Sequence, residues 1–501
     1  MSGFIREVLE AAPPGDRALV ELSADGGRRE WTFGEVSERS RRLAGALAAR
    51  GVGRGDVVMT LIGNRPEWVL TMLACFRLGA VVLPCTEQLR SGDLRLRLEH
   101  TRPALVVADQ RNRGELEKAG PECEVVLVPD TSLFEEAAAP PPAPDPAPQE
   151  PALITFTSGT AGEPKAVVHG HRYLLGQRLQ AESWLAPRRG ELVWCTAASG
   201  WSKSARNVFM APWLCGAAAL LHDARFDPQE RLELLRRERV NVLCMAPTEY
   251  RVIAKRATVP ALGELRGMVA AGEALNPEVL HAWREATGLD IRDGYGQTET
   301  GQLTAMPAGQ PARPGSMGRA LPGVSLRIED GELVAEPDTV PTFFLGYLGE
   351  EALREGHGWR IRDRAAGGTW HTGDRVRMDD EGFLHFEGRA DDVIISAGYR
   401  IGPFEVESAL VSHPAVAEAA AVAAPDEERG AVVRAVVVLR ADHTPSQALA
   451  TELQEHVKRT TAPYKYPRIV DFAEELPKTA SGKVRRAELR GGAGPDRPTT
   501  A

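Results

Sequence analysis

The feature that most constrains the fold is an alternation of short apolar runs with longer amphipathic runs between about residues 30 and 300. Parallel strands joined by crossover helices produce this pattern. Several runs are apolar at successive positions, as strands covered on both faces of a sheet must be. The predicted strands lie within residues 57–62, 80–84, 104–109, 124–129, 152–157, 192–197 and 240–247. The sequence therefore predicts an α/β fold.

One helix boundary is predicted from side chains alone. Thr32 and Glu35 have the spacing of a capping box, and an apolar stripe that includes Val36 and Leu43 follows them. Gly51 is the kind of residue that ends a helix, because glycine adopts the left-handed conformation at low cost. We expect a helix between these signals.

The pattern of predicted secondary structure changes at two points in the sequence. After about residue 315 the strands become shorter and are punctuated by glycine, which predicts a β-rich, antiparallel subdomain. Beyond Arg389 a helix opened by Pro403 and a mixture of strands and helices predict a small α+β domain. The Ala/Pro tract at 137–151 predicts an exposed loop. We therefore divide the chain into a domain at 1–388, a domain at 389–490 and a disordered tail at 491–501.

Composition excludes several classes of function. The 60 basic and 69 acidic residues are mixed along the chain and give a net charge of -9, so no basic stripe is offered to a nucleic acid polymer. The N-terminal residues lack an apolar signal region, and no run of about 18 apolar residues predicts a membrane span. The 6 cysteines form no C-x-x-C pair and are expected to be reduced and buried. We expect a cytoplasmic protein.

The segment 157–165 follows an apolar predicted strand directly and is the strongest single motif. Glycines and small hydroxyl residues let backbone N–H groups approach a polyphosphate, and a lysine supplies positive charge. A Walker A loop is excluded, because no G-K-[ST] follows the required gap. A solvent-exposed turn is the alternative for this segment taken alone. The predicted phosphate-binding residues are Thr157, Ser158, Gly159, Thr160, Gly162 and Lys165.

Further motifs follow in a fixed order. They are AGEA at 271–274, DGYGQTET at 293–300, HTGD at 371–374, GRADD at 388–392 and PKTASGK at 477–483. With the phosphate segment they resemble the adenylate-forming (ANL) superfamily of acyl-CoA synthetases, adenylation domains and luciferases. The segments 294–300, 398–403 and 462–468 are most similar to the branch of medium-chain acyl-CoA synthetases and benzoate–CoA ligases. The resemblance implies a large N-terminal domain of parallel-sheet α/β subdomains with a β-rich subdomain, and a small mobile C-terminal domain.

The resemblance also implies where ATP binds. Tyr295 offers an apolar face to adenine, and the backbone near Gly272 reads the base edge. Asp374 accepts hydrogen bonds from the ribose hydroxyls, and Arg389 reaches the ribose. The residues implied to surround the base are Gly272, Glu273, Ala274, Asp293, Gly294 and Tyr295.

Three residues are implied to act in the reaction itself. Thr298 bonds the α-phosphate, and Glu299 is a hard oxygen ligand suited to Mg²⁺. Glu299 has an alternative role as an ordinary acid at the start of a helix. Lys483 stabilises the charge that develops when a carboxylate attacks the α-phosphorus.

The same resemblance implies a domain rotation. Because Lys483 and the phosphate segment lie far apart in the sequence, the small domain must close for adenylation and can move away afterwards. Asp391 is the implied hinge. The rotation would bring Gly398, Tyr399 and Arg400 to the site, where the glycine allows a pantetheine thiol to pass.

Residues that are absent from the motifs narrow the choice of acid substrate and of acyl acceptor. The segment 198–204 has no aspartate to hold an amino acid's ammonium group, and no carrier-protein serine motif follows, so free CoA is the expected acceptor. Gly296 stands where acetate-specific relatives have a tryptophan, and each additional methylene that a larger pocket buries contributes about 0.8 kcal/mol. Trp201 is a candidate pocket wall. A medium-chain fatty acid or an aromatic acid is the expected substrate.

Two other functions stay open from the sequence. One is a ligase that loads the pantetheine of a carrier protein, and the other is a catalytically silent protein that binds ATP or acyl-AMP. The sequence also leaves open a homodimer, the physiological acid and the regulation of Lys483.

Overall fold

The computed structural model describes residues 3–23, 25–129, 132–135, 139, 145–157, 164–272, 277–389, 392, 394–396, 399–426, 429–478 and 484–491. The chain divides into two compact units. The first unit comprises residues 1–157, 164–325 and 336–369, and the second comprises residues 158–163, 326–335 and 370–501.

The first unit alternates strands and helices. Its strands are β1 (Arg17–Leu22), β2 (Arg28–Thr32), β3 (Val57–Leu61), β4 (Val81–Pro84), β5 (Leu105–Asp109), β6 (Glu124–Val128), β7 (Pro151–Phe156), β8 (Ala166–Gly170), β9 (Leu192–Cys195), β10 (Ala218–His222), β11 (Val242–Met245), β12 (Gly267–Ala271), β13 (Ile291–Gln297), β14 (Gly301–Ala305), β15 (Ser316–Ala320), β18 (Gly346–Tyr347), β19 (Ala352–Glu355) and β20 (Gly358–Ile361). The strands predicted between residues 57 and 247 are all present.

The helices of the first unit lie between these strands. They are α1 (Phe33–Ala49), α2 (Pro66–Leu78), α3 (Ser91–Thr101), α4 (Arg113–Ala119), α5 (Arg172–Gly176), α6 (Arg178–Gln180), α7 (Ala211–Leu214), α8 (Pro228–Arg237), α9 (Pro247–Arg256) and α10 (Pro277–Thr287). Short 3-10 turns lie at Gln110–Asn112 and Pro337–Thr339. Turns of π-helix lie at Ile5–Glu10, Ala181–Leu185 and Arg206–Met210.

The predicted start of α1 is confirmed. The Glu35 N–H donates to Thr32 Oγ1 at 3.2 Å, and the Thr32 N–H donates to Glu35 Oε2 at 2.8 Å. This reciprocal pair satisfies two of the donors that every helix start leaves open. Gly51 has φ +82 just beyond the helix, as its predicted role at the helix end requires.

Two mainly parallel sheets form the core of the first unit. One contains the strand order β15-β14-β13-β12-β11-β9-β10-β1-β2, in which the strands from β13 to β1 are parallel. The other is 7-stranded, with the order β18-β8-β7-β4-β3-β5-β6 and antiparallel pairs only at β7–β8 and β8–β18. Central strands such as β3 and β9 are buried along their whole length. Helices must therefore cover both faces of each sheet.

The carboxyl ends of the parallel strands of the two sheets meet through side-chain hydrogen bonds to main-chain carbonyls and through a close backbone approach. Asn64 donates to the Ala197 carbonyl at 3.0 Å, and the Ser199 hydroxyl bonds the Ile62 carbonyl. Gly200 has φ +88, and a Cβ placed on it would lie 2.2 Å from the Thr86 nitrogen. Only glycine permits this approach, so the segment after β9 is held directly against the ends of β3 and β4.

The second unit contains small, mainly antiparallel sheets, with a parallel pair at β26–β27, and three α-helices in its described part. Its elements are β16 (Leu326–Glu329), β17 (Glu332–Ala335), β21 (Trp370–Met378), β22 (Leu384–Arg389), β23 (Ile394–Ser396), β24 (Tyr399–Ile401), α11 (Pro403–Val411), β25 (Val416–Asp426), β26 (Gly430–Leu439), α12 (Gln447–Thr460), a 3-10 turn (Pro463–Lys465), β27 (Ile469–Phe472) and α13 (Arg486–Gly491). Antiparallel pairing joins β16 to β17, β17 to β21 and β21 to β22. The predicted β-rich region and the predicted α+β pattern are both confirmed.

Several simpler expectations were also tested. The 6 cysteines are free thiols, and four of them are buried, whereas Cys123 and Cys215 are half-buried. No helix in the described part of the chain has the length and apolar character needed to cross a bilayer. The Ala/Pro tract ends earlier than predicted, because Pro151 is the first residue of β7, a position that proline tolerates in a strand. Residues 136–138 and 140–144 of that region, and the tail from 492, lie outside the described residues.

Candidate active site

The two ends of the predicted phosphate segment lie at the end of β7 and the start of β8. The Thr157 N–H donates to the Lys165 carbonyl at 2.9 Å, and the Lys165 N–H donates to Thr157 Oγ1 at 3.0 Å. These two bonds hold Thr157 and Lys165 together. Four predicted residues, Ser158, Gly159, Thr160 and Gly162, lie outside the described residues.

The Lys165 side chain belongs to a cluster that the sequence did not predict. Its Nζ lies 4.4 Å from the centroid of the Tyr347 ring and 3.2 Å from Glu350 Oε1. Tyr347 is adjacent because β18 pairs with β8 in the register Tyr347 to Val167. The Tyr347 hydroxyl donates to Glu299 Oε1 at 2.9 Å. Tyr347 thus brings the predicted phosphate cation and the predicted Mg²⁺ ligand into one cluster.

The electrostatics of this cluster favour a neutral tyrosine. Burial raises the pKa of Tyr347, and the negative charge of Glu299 raises it further. Tyr347 is therefore a hydrogen-bond donor that holds one oxygen of Glu299. The other oxygen, Oε2, accepts no hydrogen bond from any residue that the structure describes.

The turn that carries Thr298 and Glu299 is held by the main chain on both sides. The Gln297 N–H donates to Thr300 Oγ1 at 3.0 Å, and Thr342 Oγ1 donates to the Thr300 carbonyl at 2.6 Å. The Phe344 N–H donates to the Glu299 carbonyl at 2.8 Å. This leaves the side chains of Thr298 and Glu299 half-buried on a fixed backbone.

The predicted adenine residues lie at the ends of β12 and in β13. Gly272 follows β12 with φ +103, and Tyr295 is half-buried in β13. The Gly294 N–H donates to Asp293 Oδ1 at 2.8 Å. Burial raises the pKa of Asp293 to about 8, and the Gly294 N–H opposes that rise only in part. Glu273 and Ala274 lie outside the described residues.

Lys203 is a residue that the sequence analysis missed. Its Nζ donates to the Ala271 carbonyl at 3.2 Å and lies 3.3 Å from the position of a Cβ on Gly272. The ammonium group therefore lies where the base-binding backbone begins. The interpretation of the segment 198–204 rested on its missing aspartate and on Trp201, whereas its lysine was the signal that could have indicated this contact.

The structure gives Gly296 a role other than pocket space. A Cβ on Gly296 would lie 1.9 Å from the Gly301 carbonyl oxygen, which belongs to the paired strand β14. The register of β13 and β14 shifts at this point. Glycine is thus required by the approach of two strands. Trp201, the other predicted pocket residue, is half-buried and its carbonyl accepts from the Ser204 N–H at 2.9 Å.

The predicted ribose residues meet within the second unit. Asp374 and Arg389 are register partners on β21 and β22, and Arg389 Nη1 lies 3.2 Å from Asp374 Oδ1. Asp374 is buried, whereas the Arg389 side chain is 42% exposed. Gly373, with φ +69, donates its N–H to Glu332 Oε1 at 2.7 Å and shapes the turn before Asp374. The side chain of Asp374 is thereby orientated by its pairing partner.

The remaining predicted residues of the second unit are only partly described. Tyr399 is 52% exposed and stacks on Tyr464, with ring centroids 4.4 Å apart. Arg400 lies in β24, and its side chain is outside the described part. The predicted hinge Asp391, the glycine Gly398 and the catalytic Lys483 also lie outside the described residues.

The donor set was tested for Mg²⁺. No group of three or more His, Cys, Asp or Glu side chains among the described residues could hold a metal ion by itself. Mg²⁺ at a nucleotide site needs no such cage, because one or two carboxylates and the substrate's phosphates suffice. The available Oε2 of Glu299 fits that requirement.

Comparison with known proteins agrees with this geometry. Residues 6–348 match the family model of the AMP-binding enzymes, and residues 405–483 match the model of the AMP-binding enzyme C-terminal domain. The chain is 38% identical to the uncharacterized acyl-CoA ligase YtcI of Bacillus subtilis, over 97% of this chain and 95% of that protein. It is also 38% identical to the mitochondrial acyl-coenzyme A synthetase ACSM3 of Rattus norvegicus, over 97% of this chain and 90% of that protein.

A solved structure extends the comparison. The benzoate CoA ligase of Burkholderia xenovorans LB400 superposes with a TM-score of 0.84 at 27% identity, covering 98% of this chain and 100% of that chain. The chain belongs to the AMP-binding enzyme family, and the predicted adenylate-forming fold is confirmed. Within that family it is an acyl-CoA synthetase, an acid–thiol ligase that works through acyl-AMP and uses ATP and CoA.

The two explanations for Gly296 make different predictions. If strand approach requires the glycine, Gly296→Ala forces β13 and β14 apart, lowers the stability by about 1–3 kcal/mol and reduces turnover of short and long acids alike. Thermal unfolding and an activity series of acids measure both. Gly263→Ala is the control, because a Cβ there meets no atom within 4 Å. A loss restricted to large acids, with stability unchanged, would favour the pocket explanation.

Asp293 predicts a pH dependence of stability. Between the ordinary aspartate pKa of 3.8 and the folded-state pKa of about 8, the unfolded chain releases the proton of Asp293 while the folded chain keeps it. Stability therefore falls with rising pH across this window, by at most about 1.4 kcal/mol per pH unit. In Asp293→Asn that loss is absent, so the variant should gain melting temperature over the wild type at pH 8 and little at pH 4. An equal difference at both pH values would contradict the raised pKa.

Proposed function

We propose that this ligase activates a medium-chain fatty acid or an aromatic acid with ATP and Mg²⁺, and transfers the acyl group to free CoA. The observation that carries the proposal is the cluster of Lys165, Tyr347 and Glu299 at the β7–β8 hairpin. Tyr347 contacts both the Lys165 ammonium group and the Glu299 carboxylate, and a cation and a carboxylate held side by side suit a polyphosphate and its metal ion. The segment from Gly272 to Tyr295 suits the adenine base.

In the first half-reaction, Lys165 would exchange its contact with Glu350 for the phosphates of ATP. That contact is between side chains that are 55% and 53% exposed, so its loss costs little. Thr298 would bond the α-phosphate, and Glu299 would hold Mg²⁺, which neutralises phosphate charge when bound. The acid's carboxylate attacks the α-phosphorus and pyrophosphate leaves, with Lys483 stabilising the transition-state charge.

In the second half-reaction, the CoA thiolate attacks the acyl carbonyl and AMP leaves. We propose that a rotation about Asp391 replaces Lys483 with the segment of Gly398, Tyr399 and Arg400, and that the mobile domain comprises residues 389–490. Asp374 and Arg389 would hold the ribose in both halves. The pairing of these two side chains supports this role.

Two alternatives remain distinct from this proposal. Transfer to a carrier-protein pantetheine would give no thioester with free CoA, and a silent binding protein would give no turnover. A homodimer and a cytoplasmic location stay predictions. The Lys165, Glu299 and Tyr347 cluster favours catalysis, because binding alone has no need of a carboxylate poised for a metal ion.

The acid series is the direct test of the proposed function. Acids from acetate to dodecanoate and benzoates are supplied with ATP, Mg²⁺ and CoA, and AMP release is measured. We expect turnover with medium-chain or aromatic acids, weak turnover with acetate, and none when Mg²⁺ is chelated. Failure of every acid to drive pyrophosphate exchange into ATP would refute the adenylation chemistry.

Lys483 is predicted to act in one half-reaction only. Lys483→Ala should reduce adenylate formation by more than a hundredfold while thioester formation from supplied acyl-AMP is kept, because the lysine stabilises charge only at the α-phosphorus. Pyrophosphate exchange and thioester assays measure the halves separately. Lys478→Ala is the matched control. Lys478 belongs to the same motif as Lys483, and its Nζ forms an ion pair with Glu418 at 2.6 Å. An equal loss in both halves would refute the proposed rotation.

A further inference from the structure

Arg206 is a buried cation with no countercharge among the residues that the structure describes. It is the first residue of the π-helical turn Arg206–Met210 and is only 6% exposed. Its Nε and Nη1 atoms are buried and make no hydrogen bond. Removing a guanidinium from water without compensation is costly, and buried arginines are normally paired or fully hydrogen-bonded. The arrangement is the one expected when the partner is a ligand.

The other buried arginines of the described part show the contrast. Arg231, 7% exposed, lies 3.3 Å from Glu249 and 4.6 Å from the Trp194 ring. Arg292, also 7% exposed, donates to the Trp184 carbonyl at 2.6 Å. Arg206 forms no ion pair with any residue that the structure describes, and its contact with the Tyr173 hydroxyl leaves Nε and Nη1 without a hydrogen bond.

The surroundings of Arg206 are polar and close to the reacting end of the site. The guanidinium neighbours the hydroxyl of Tyr173 and the ring of His169. The centroids of the Tyr173 and His169 rings lie 4.1 Å apart. Burial lowers the pKa of His169 to about 3, so this imidazole is neutral at pH 7 and Arg206 supplies the positive charge. The His169 ring also lies beside the Thr298 backbone.

The position of Arg206 in the chain supports a location in the proposed acid pocket. Arg206 lies just after the predicted pocket residue Trp201 in the segment that follows β9. That segment is fixed against the ends of β3 and β4 by Gly200. The guanidinium therefore belongs to the crevice at the carboxyl ends of the parallel strands, where ligands of open α/β sheets bind.

We propose that Arg206 binds a second oxyanion on the acid substrate, and that the enzyme's preferred acid is therefore a dicarboxylic acid. The inference rests on the proposed function and narrows its substrate class. A carboxylate supplies the countercharge that Arg206 lacks, and it accepts charge-assisted hydrogen bonds from N–H groups such as those at Nε and Nη1. A hydrocarbon tail would leave both N–H groups unpaired in the complex, which a site built for hydrogen bonding discriminates against.

The reacting carboxylate is a poorer partner for Arg206 than a distal one. That carboxylate loses its charge when it becomes the mixed anhydride with AMP, and the buried cation would then be unpaired again. A distal carboxylate keeps its charge through both half-reactions. Arg206 would thus be paired from acid binding to thioester release.

Matched acids and substitutions test the proposal. Adipate is compared with hexanoate, and terephthalate with 4-methylbenzoate, so that a carboxylate replaces a methyl group at the far end. We expect the wild type to use each diacid with a kcat/KM at least tenfold higher. Arg206→Met should lower kcat/KM for the diacids roughly tenfold to hundredfold and leave or raise that for the monoacids. Arg206→Lys should restore part of the preference.

A second readout is independent of turnover. Adipate should raise the melting temperature of the wild type and not that of Arg206→Met, whereas removal of an unpaired buried cation should not destabilise the apoprotein. Arg178→Met, at a 47% exposed arginine of α6, is the control. Turnover of monoacids with rejection of diacids overturns the inference alone. Equal loss of all acids in Arg206→Met assigns the residue to the reacting carboxylate and also overturns it, while no turnover with any acid refutes the proposed function itself.

Discussion

The main-chain contact between the segment after β9 and the ends of β3 and β4 is the constraint on which the site depends. With a side chain at Gly200 the two backbones would have to separate, because a Cβ would lie 2.2 Å from the Thr86 nitrogen. The contact joins the carboxyl ends of two mainly parallel sheets, the edge at which such sheets bind ligands. Both Lys203 and Arg206 leave the same segment. Their placement is therefore a consequence of how closely two backbones approach.

A second consequence concerns charge. Lys165 and Glu299 have opposite charges, yet the structure holds each through a different partner. Lys165 contacts the exposed Glu350, while Glu299 accepts a hydrogen bond from the half-buried Tyr347. An exposed ion pair contributes little to stability, so the lysine can change partner at low cost. The bond from Tyr347 keeps the carboxylate in place while its second oxygen stays available. The Glu299 carboxylate is thus held in a fixed position, whereas the Lys165 side chain can change its contact.

The sequence predicted what depends on short spacing. The parallel strands, the capping box of α1, the antiparallel region after residue 315 and the helix at Pro403 all follow from local patterns. The pairing of Asp374 with Arg389 was also within reach, because both positions belong to recognised motifs. Tyr347 could not be predicted, since its contact with Glu299 spans 48 positions of the chain and its location depends on the pairing of β18 with β8. From the sequence, Gly296 was interpreted as the residue that enlarges the acid pocket, because only its identity is visible there. The close approach of the Gly301 carbonyl to Gly296 becomes visible only in the structure.

In the proposed site, the nucleotide and the acid are contacted by residues of different origin. The residues proposed to hold ATP come from contiguous motifs, since phosphate and base are contacted largely by backbone N–H groups in turns. The residues proposed to select the acid come from elements far apart, as with His169 on β8, Tyr173 on α5 and Arg206 after β9. A pocket of this origin can change its polarity by a single substitution without disturbing the adenylation residues. In the proposed site, the guanidinium of Arg206 lies on the side that selects the acid, where a change of one side chain alters the preferred substrate and leaves the adenylation residues in place.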